Sequence, residues 1–121
     1  MLLDGFGNDI YIAKRSSQAY SEFIFNSLLI DLSGNDIYNA SIWSQAVALG
    51  WPNPFICAST QAIMLDIGGN DAYNGGDMGC GGGGIALLIN IFGRDKYNGI
   101  EKDWSIWTQG CFGVGIDIGG I

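Results

Sequence analysis

The 121-residue chain contains no histidine, two prolines and five lysine or arginine residues. Without histidine there is no Ser-His-Asp or Cys-His catalytic arrangement and no zinc site of the Cys/His type. The scarcity of proline and the lack of a Gly-X-Y period exclude collagen. Twelve acids against five bases leave a net charge of −7, which repels phosphates and argues against nucleic acid as a partner. No transmembrane segment is expected, because the apolar run before Asn90 is far too short to cross a bilayer. Met1-Leu2-Leu3-Asp4 lacks the basic start and apolar stretch of a signal peptide. Three cysteines with no Cys-x-x-Cys pair make no disulfide framework.

What the chain has is glycine and a repeat. Twenty glycines are more than twice the usual share of about 7%, too many for a helical bundle. Leu3-Asp4-Gly5-Phe6-Gly7-Asn8-Asp9-Ile10-Tyr11 recurs as Ile30-Asp31-Leu32-Ser33-Gly34-Asn35-Asp36-Ile37-Tyr38. It recurs again as Leu65-Asp66-Ile67-Gly68-Gly69-Asn70-Asp71-Ala72-Tyr73. A degenerate copy runs from Ile89 to Tyr97, with Asn90 for the first Asp and Arg94 for the Asn, and a partial copy starts at Ile116-Asp117. The copies are 27, 35, 24 and 27 residues apart. Gln18 and Gln45 follow at a fixed distance, and Ser41-Ile42-Trp43-Ser44-Gln45-Ala46 is echoed by Ser105-Ile106-Trp107-Thr108-Gln109-Gly110.

Variable spacing fits strands and turns, whose corners accept insertions as loops, better than helices, which would rotate out of register. Short apolar runs precede each motif, and Gly-Asn-Asp is turn chemistry. A coil of two dozen residues buries its apolar side only by stacking on neighbours. The expected fold is therefore all-β, a parallel β-solenoid (β-helix) of four to five coils with 24–35 residues per coil. Coils about 4.8 Å apart place equivalent residues above one another. Residues 1–121 form one domain, expected to be a segment of a longer repeat protein whose open ends favour self-association. The expected ladders are Leu3, Ile30, Leu65, Ile89 and Ile116 in the core, a tyrosine stack of Tyr11, Tyr38, Tyr73 and Tyr97, and an amide ladder of Gln18, Gln45 and Gln109.

Eight of the twelve acids lie in the motif, so stacking places like charges about 5 Å apart. Each such pair repels by roughly 1 kcal/mol in water and about 3 kcal/mol at an effective dielectric of 20. Asp, Asn and glycine-freed carbonyls are the oxygen ligands that calcium prefers. The candidate metal ligands are Asp4, Asn8, Asp9, Asp31, Asn35, Asp36, Asp66, Asn70, Asp71 and Asp117. The competing reading is that these residues only cap turns through their own backbone bonds.

Gly68-Gly69-Asn70-Asp71-Ala72-Tyr73 and Gly7-Asn8-Asp9-Ile10-Tyr11 resemble the glycine- and aspartate-rich nonapeptide repeats of RTX proteins, here with one motif per coil. That resemblance implies calcium held between successive turns of a parallel β-roll and an extracellular or cell-surface setting. The expected function is a non-enzymatic structural or adhesive β-solenoid segment, since catalysis needs one special site and this chain builds the same corner several times. The alternative is a carbohydrate-binding or carbohydrate-active β-helix, with glycans stacked on the loop residues Trp51 and Trp104 and acids nearby. The run Gly79–Gly84 lacks the Gly-Lys-(Ser/Thr) ending of a phosphate loop and is expected where coils approach closely.

Overall fold

The computed structural model describes residues 1–22, 25–49, 60–75, 78–98, 103–110 and 112–119. Every regular element among them is a strand, and the strands stack as a parallel β-solenoid of about four turns. One face is built from β1 (Leu2–Asp4), β5 (Asn26–Asp31), β9 (Gln61–Ile67), β12 (Ile85–Ile91) and β15 (Gly113–Ile118), parallel in that order. Across the motif turn lies a second face of β2 (Ile10–Ile12), β6 (Ile37–Asn39), β10 (Ala72–Asn74) and β13 (Lys96–Tyr97). A short third side pairs β3 (Arg15–Ser17) with β7 (Ile42–Ser44). The fourth stacks β4 (Tyr20–Glu22), β8 (Val47–Leu49), β11 (Cys80–Gly81) and β14 (Ile106–Gly110).

The register is that of the repeat: Asp4 pairs with Asp31, Asp31 with Asp66, and Tyr11, Tyr38, Tyr73 and Tyr97 follow one another. The insertion in the longest interval lies between β8 and β9, at residues 50–59, outside the described residues. Between β3 and β4 the chain turns sharply at Gln18 and Ala19, and the next coil repeats the turn at Gln45 and Ala46; all four residues have positive φ. The Gln18 and Gln45 amides hold this corner, each donating from Nε2 to the carbonyl oxygen of its own coil's tyrosine at 2.8 Å. The stretch 16–29, with the most helical character in the sequence, is strand and turn wherever it is described.

The core ladder differs from expectation by one residue. Leu3, Ile30, Leu65, Ile89 and Ile116 do align, but on the outer side of the first face. In β9, Ala62, Met64 and Asp66 are buried, while Ile63, Leu65 and Ile67 are only partly covered. The inner column is Leu2, Leu29, Met64, Leu88 and Gly115. The cause is the motif aspartate: its carboxylate points inward to a tyrosine hydroxyl, and with a period of two the residue before it points out.

The two ends of the stack are unlike. β15 pairs on one edge with β12 and on the other, antiparallel, with β14. β14 also continues the fourth face, through Gln109–Gly110 against Cys80–Gly81, so it bridges two sides at the C-terminal end. Trp107 plugs the interior there. Its Nε1 donates to the Met78 carbonyl at 3.0 Å, and its ring meets Tyr97 edge-on with centroids 5.4 Å apart. Gly115 is the inner-column residue beneath it, where a Cβ would collide with the indole.

Trp107 and Trp43 are therefore not equivalent. Trp43 lies on the outside in β7, 39% exposed, with the Arg15 guanidinium 4.4 Å from its ring centre. Gln109 aligns with Cys80 and so with Val47, which leaves Gln18 and Gln45 as the amide ladder, bonded at 3.1 Å. The glycine run does mark a close approach, since a Cβ on Gly81 would strike the backbone of Phe112 and Gly113. At the N-terminal end, β1, β2, β3 and β4 each have one strand partner among the described residues.

The motif glycine is the tightest point between coils. A Cβ on Gly69 would run into the Gly34 carbonyl oxygen of the coil before, and one on Gly5 would meet nothing within 4 Å. Gly69→Ala is expected to lower stability by about 1–3 kcal/mol, and Gly5→Ala to stay within about 0.5 kcal/mol, in guanidinium unfolding. Equal effects of the two would contradict the stacking.

Candidate functional site: a buried aspartate and tyrosine ladder

Each of the three full motifs contributes two carboxylates with different tasks, and the degenerate and partial copies one each. The first, at Asp4, Asp31, Asp66 and Asp117, meets the hydroxyls of the tyrosine stack. Tyr11 contacts Asp4 at 3.0 Å and Asp31 at 2.7 Å, and Tyr38 contacts Asp31 at 3.1 Å and Asp66 at 2.9 Å. Tyr73 donates to Asp66 at 2.6 Å and Tyr97 to Asp117 at 2.6 Å. The rings stack with centroids 4.8, 5.0 and 4.8 Å apart, within 9° of parallel, so the hydroxyls step along the axis at the coil spacing. Asn90 holds the fourth position, its amide donating to the Tyr97 hydroxyl at 3.2 Å.

The second carboxylate, at Asp36, Asp71 and Asp95, ties coil to coil through the backbone. Asp36 accepts the Asp9 amide, Asp71 that of Asp36 and Asp95 that of Asp71, each at 2.7 Å. The exposed asparagines run the opposite way: Asn8, Asn35 and Asn70 accept the amides of Asn35, Asn70 and Arg94, each at 2.9 Å. Arg94 is exposed on this outer line and Asn90 is buried inside, so the two changes in the degenerate copy lie on different sides of the wall.

Proton counting shows the electrostatic problem. A phenol has one proton, so Tyr38 donates to one of its two carboxylates; the other contact is a good one when that carboxyl is protonated and donates to the phenol oxygen. Asp31, Asp36, Asp66 and Asp71 are all buried, at 1% exposure or less. Asp36 Oδ2, Asp66 Oδ1, Asp71 Oδ2 and Asp95 Oδ2 are buried without a hydrogen-bond partner. Burial favours the neutral acid, pushing Asp66 up to about 6, Asp95 to about 7 and Asp71 to about 8, with neighbouring carboxylates adding to the rise. Asp36 and Asp117 are raised by the same desolvation. The tyrosines rise too: burial disfavours phenolate at Tyr11, Tyr38, Tyr73 and Tyr97.

Two groups of carboxylates converge enough to share a cation. Asp31, Asp36 and Asp66 each place an oxygen within 4.8 Å of the others, and so do Asp95, Asp103 and Asp117. Of the sequence candidates, Asp31, Asp36 and Asp66 come together, and Asp117 joins two acids outside that set. Asn8, Asn35 and Asn70 spend their side-chain oxygens on the backbone, and Asp4 accepts from the Gly5 amide and Tyr11. Asp9 and Asp71 lie on the backbone-tying ladder.

Asp103, the tyrosine hydroxyls and the inward turn of the first aspartate escaped sequence reasoning. The constant step of seven residues from motif Asp to Tyr is the signal that could have revealed the pairing. Trp104 is 60% exposed, its amide donating to Asp117 at 3.2 Å and its ring seated over Gly119. Trp51 lies outside the described residues. No helix among the described residues is long and apolar enough to cross a membrane.

The fold and this ladder define a class, a parallel β-solenoid with an acidic interior. Comparison with protein-family models, curated proteins and solved structures returns no match.

Because Asp66, Asp71 and Asp95 titrate higher in the folded chain than at the ordinary value of 3.8, the native state holds more protons than the unfolded one between about 4 and 8. Stability in chelator is therefore expected to fall as pH rises through that window and to level off above it. Thermal unfolding from pH 4 to 9 measures this, and a rise towards neutral pH would contradict it. Tyr73→Phe removes the shorter of the two tyrosine contacts on Asp66 Oδ2, leaving that of Tyr38, and is expected to cost about 1–3 kcal/mol in denaturant unfolding.

Proposed function

We propose that the chain is a non-enzymatic structural β-solenoid segment whose inward carboxylates are neutralised by calcium at neutral pH. The observation that carries this reading is the convergence of Asp31, Asp36 and Asp66, each with an oxygen within 4.8 Å of the others, in residues of which Asp36 and Asp66 also have a buried oxygen without a hydrogen-bond partner. Calcium binds oxygen at about 2.3–2.6 Å, so ligands on opposite sides of one ion lie about 5 Å apart. Three carboxylates around one divalent cation replace a buried like-charge cluster with a paired one, which is what a low-dielectric site requires. Asp95, Asp103 and Asp117 supply a second place of the same composition. The Gly-Asn-Asp turns and acidic stacking agree with the RTX-like pattern, and an extracellular setting, where calcium is plentiful, follows from that likeness.

A structural role fits the arrangement better than catalysis, because the same unit is built in every coil and its polar groups face inward or bond to the neighbouring coil. The edges of β1 to β4, which carry no second strand among the described residues, are where end-to-end contact with another solenoid coil would form. Isothermal titration with calcium, paired with thermal unfolding, tests the metal. At about one hundred times Kd, bound calcium adds about 2.7 kcal/mol, a rise in Tm on the order of 10 °C for a domain of this size. Asp66→Asn is expected to reduce that rise strongly, and magnesium, which demands tighter octahedral geometry, to produce less of it. No heat and an unchanged Tm with calcium would leave the carboxylates as proton-holding structural groups only.

A further inference from the structure

The first face carries its aspartate ladder on the inner side, and its outer side is apolar. Outside, its middle column runs Leu3, Ile30, Leu65, Ile89 and Ile116. It is flanked by a column through Ile63 and Leu87 and another through Ile67 and Ile91. Among the described residues, every outward position of the five strands is uncharged, and the polar ones, Asn26 and Gln61, sit together at one border. Leu3 is 61% exposed, Ile85 58% and Ile118 51%, and Ile30, Leu65, Ile89 and Ile116 are half-buried. Parallel sheets are as a rule covered on both faces, and strands reading as near-continuous apolar runs are those buried twice. Here the inner side is covered by the solenoid's own interior, and the outer side by nothing among the described residues.

We propose that this outer face packs against the same face of a second copy of the chain, making a two-fold dimer of side-by-side solenoids. Area, charge and shape select that occupant. Five strands about 4.8 Å apart and three columns about 7 Å apart cover roughly 500 Å² per copy, or about 1,000 Å² for the pair, the size at which an interface becomes specific. Each copy carries −7, yet Asp31, Asp66 and Asp117 on the strands of this face are buried and no acid stands among its described outward positions, so two copies meet on neutral ground. A surface repeating the same ridge at one spacing is complementary to itself, as a two-fold interface requires, and sheets so joined lie about 10 Å apart. The acid excess disfavours an anionic membrane as the partner. This lateral contact is separate from the open N-terminal coil.

Light scattering coupled to size exclusion at roughly 100 μM tests it. The wild-type chain is expected at twice the monomer mass. Leu65→Lys with Ile89→Lys is expected at monomer mass with an unchanged circular dichroism spectrum. Should that variant fail to fold, Leu65→Thr with Ile89→Thr keeps strand propensity and is expected to weaken the dimer at least about tenfold. A monomeric wild-type chain overturns the proposal, whether or not it binds phosphatidylcholine vesicles. So does a dimer that survives the face variants and is lost in Ile12→Lys, which would place the contact at the open end.

Discussion

The contact between a tyrosine hydroxyl and the aspartates of its own and the adjoining coil governs the rest of the structure. It is the reason an acid points into a protein interior while a leucine or isoleucine beside it points out. A buried carboxylate without donors is too costly to keep, and a buried phenol needs an acceptor, so each group makes the other tolerable. Because Tyr11 reaches Asp31 and Tyr38 reaches Asp66, the bond also joins coils, and a slip of one coil against the next would break it along with the ring stack.

Stacking in register then distributes polar work along two further lines. Asp36, Asp71 and Asp95 accept amides from the coil before, and Asn8, Asn35 and Asn70 accept amides from the coil after. Two rows of side chains satisfy turn amides in opposite directions and add to the backbone bonds that the turns make coil to coil, such as Gly7 N–H to the Ser33 carbonyl and Gly34 N–H to the Gly68 carbonyl. The closeness this demands is why glycine stands at 34 and 69, under the carbonyl of the adjoining turn. What remains unsatisfied is charge: carboxylate oxygens exceed donors inside, and protons or a divalent cation are the two ways to close the gap.

The coil and its register were legible because Asp4, Asp31 and Asp66 recur with the same companions, and repetition specifies stacking without knowledge of side-chain direction. Direction was not legible from the alternation of Ile63, Met64, Leu65 and Asp66, which is apolar on both faces. Polarity alone sends Asp66 outward; only its pairing with Tyr38 and Tyr73 sends it in. The echo of Ser41–Ala46 in Ser105–Gly110 does not carry into the structure for a related reason. Ser105–Gly110 copies Ser41–Ala46 in letters, but with no further described coil above, β14 turns back on β15 and Trp107 fills the space a next tyrosine would take. The asparagines looked like ligands by residue type, yet their oxygens serve backbone amides, a use that composition cannot distinguish from metal binding.

Carbon-13 NMR titration of the side-chain carboxyls of Asp66 and Asp71 in chelator tests most directly whether these acids stand inside the stack. Midpoints near 6 for Asp66 and near 8 for Asp71 are expected if each is buried against its neighbours. Midpoints of both residues near 4, with the chain still folded, would put the carboxylates in water and contradict the inward ladder.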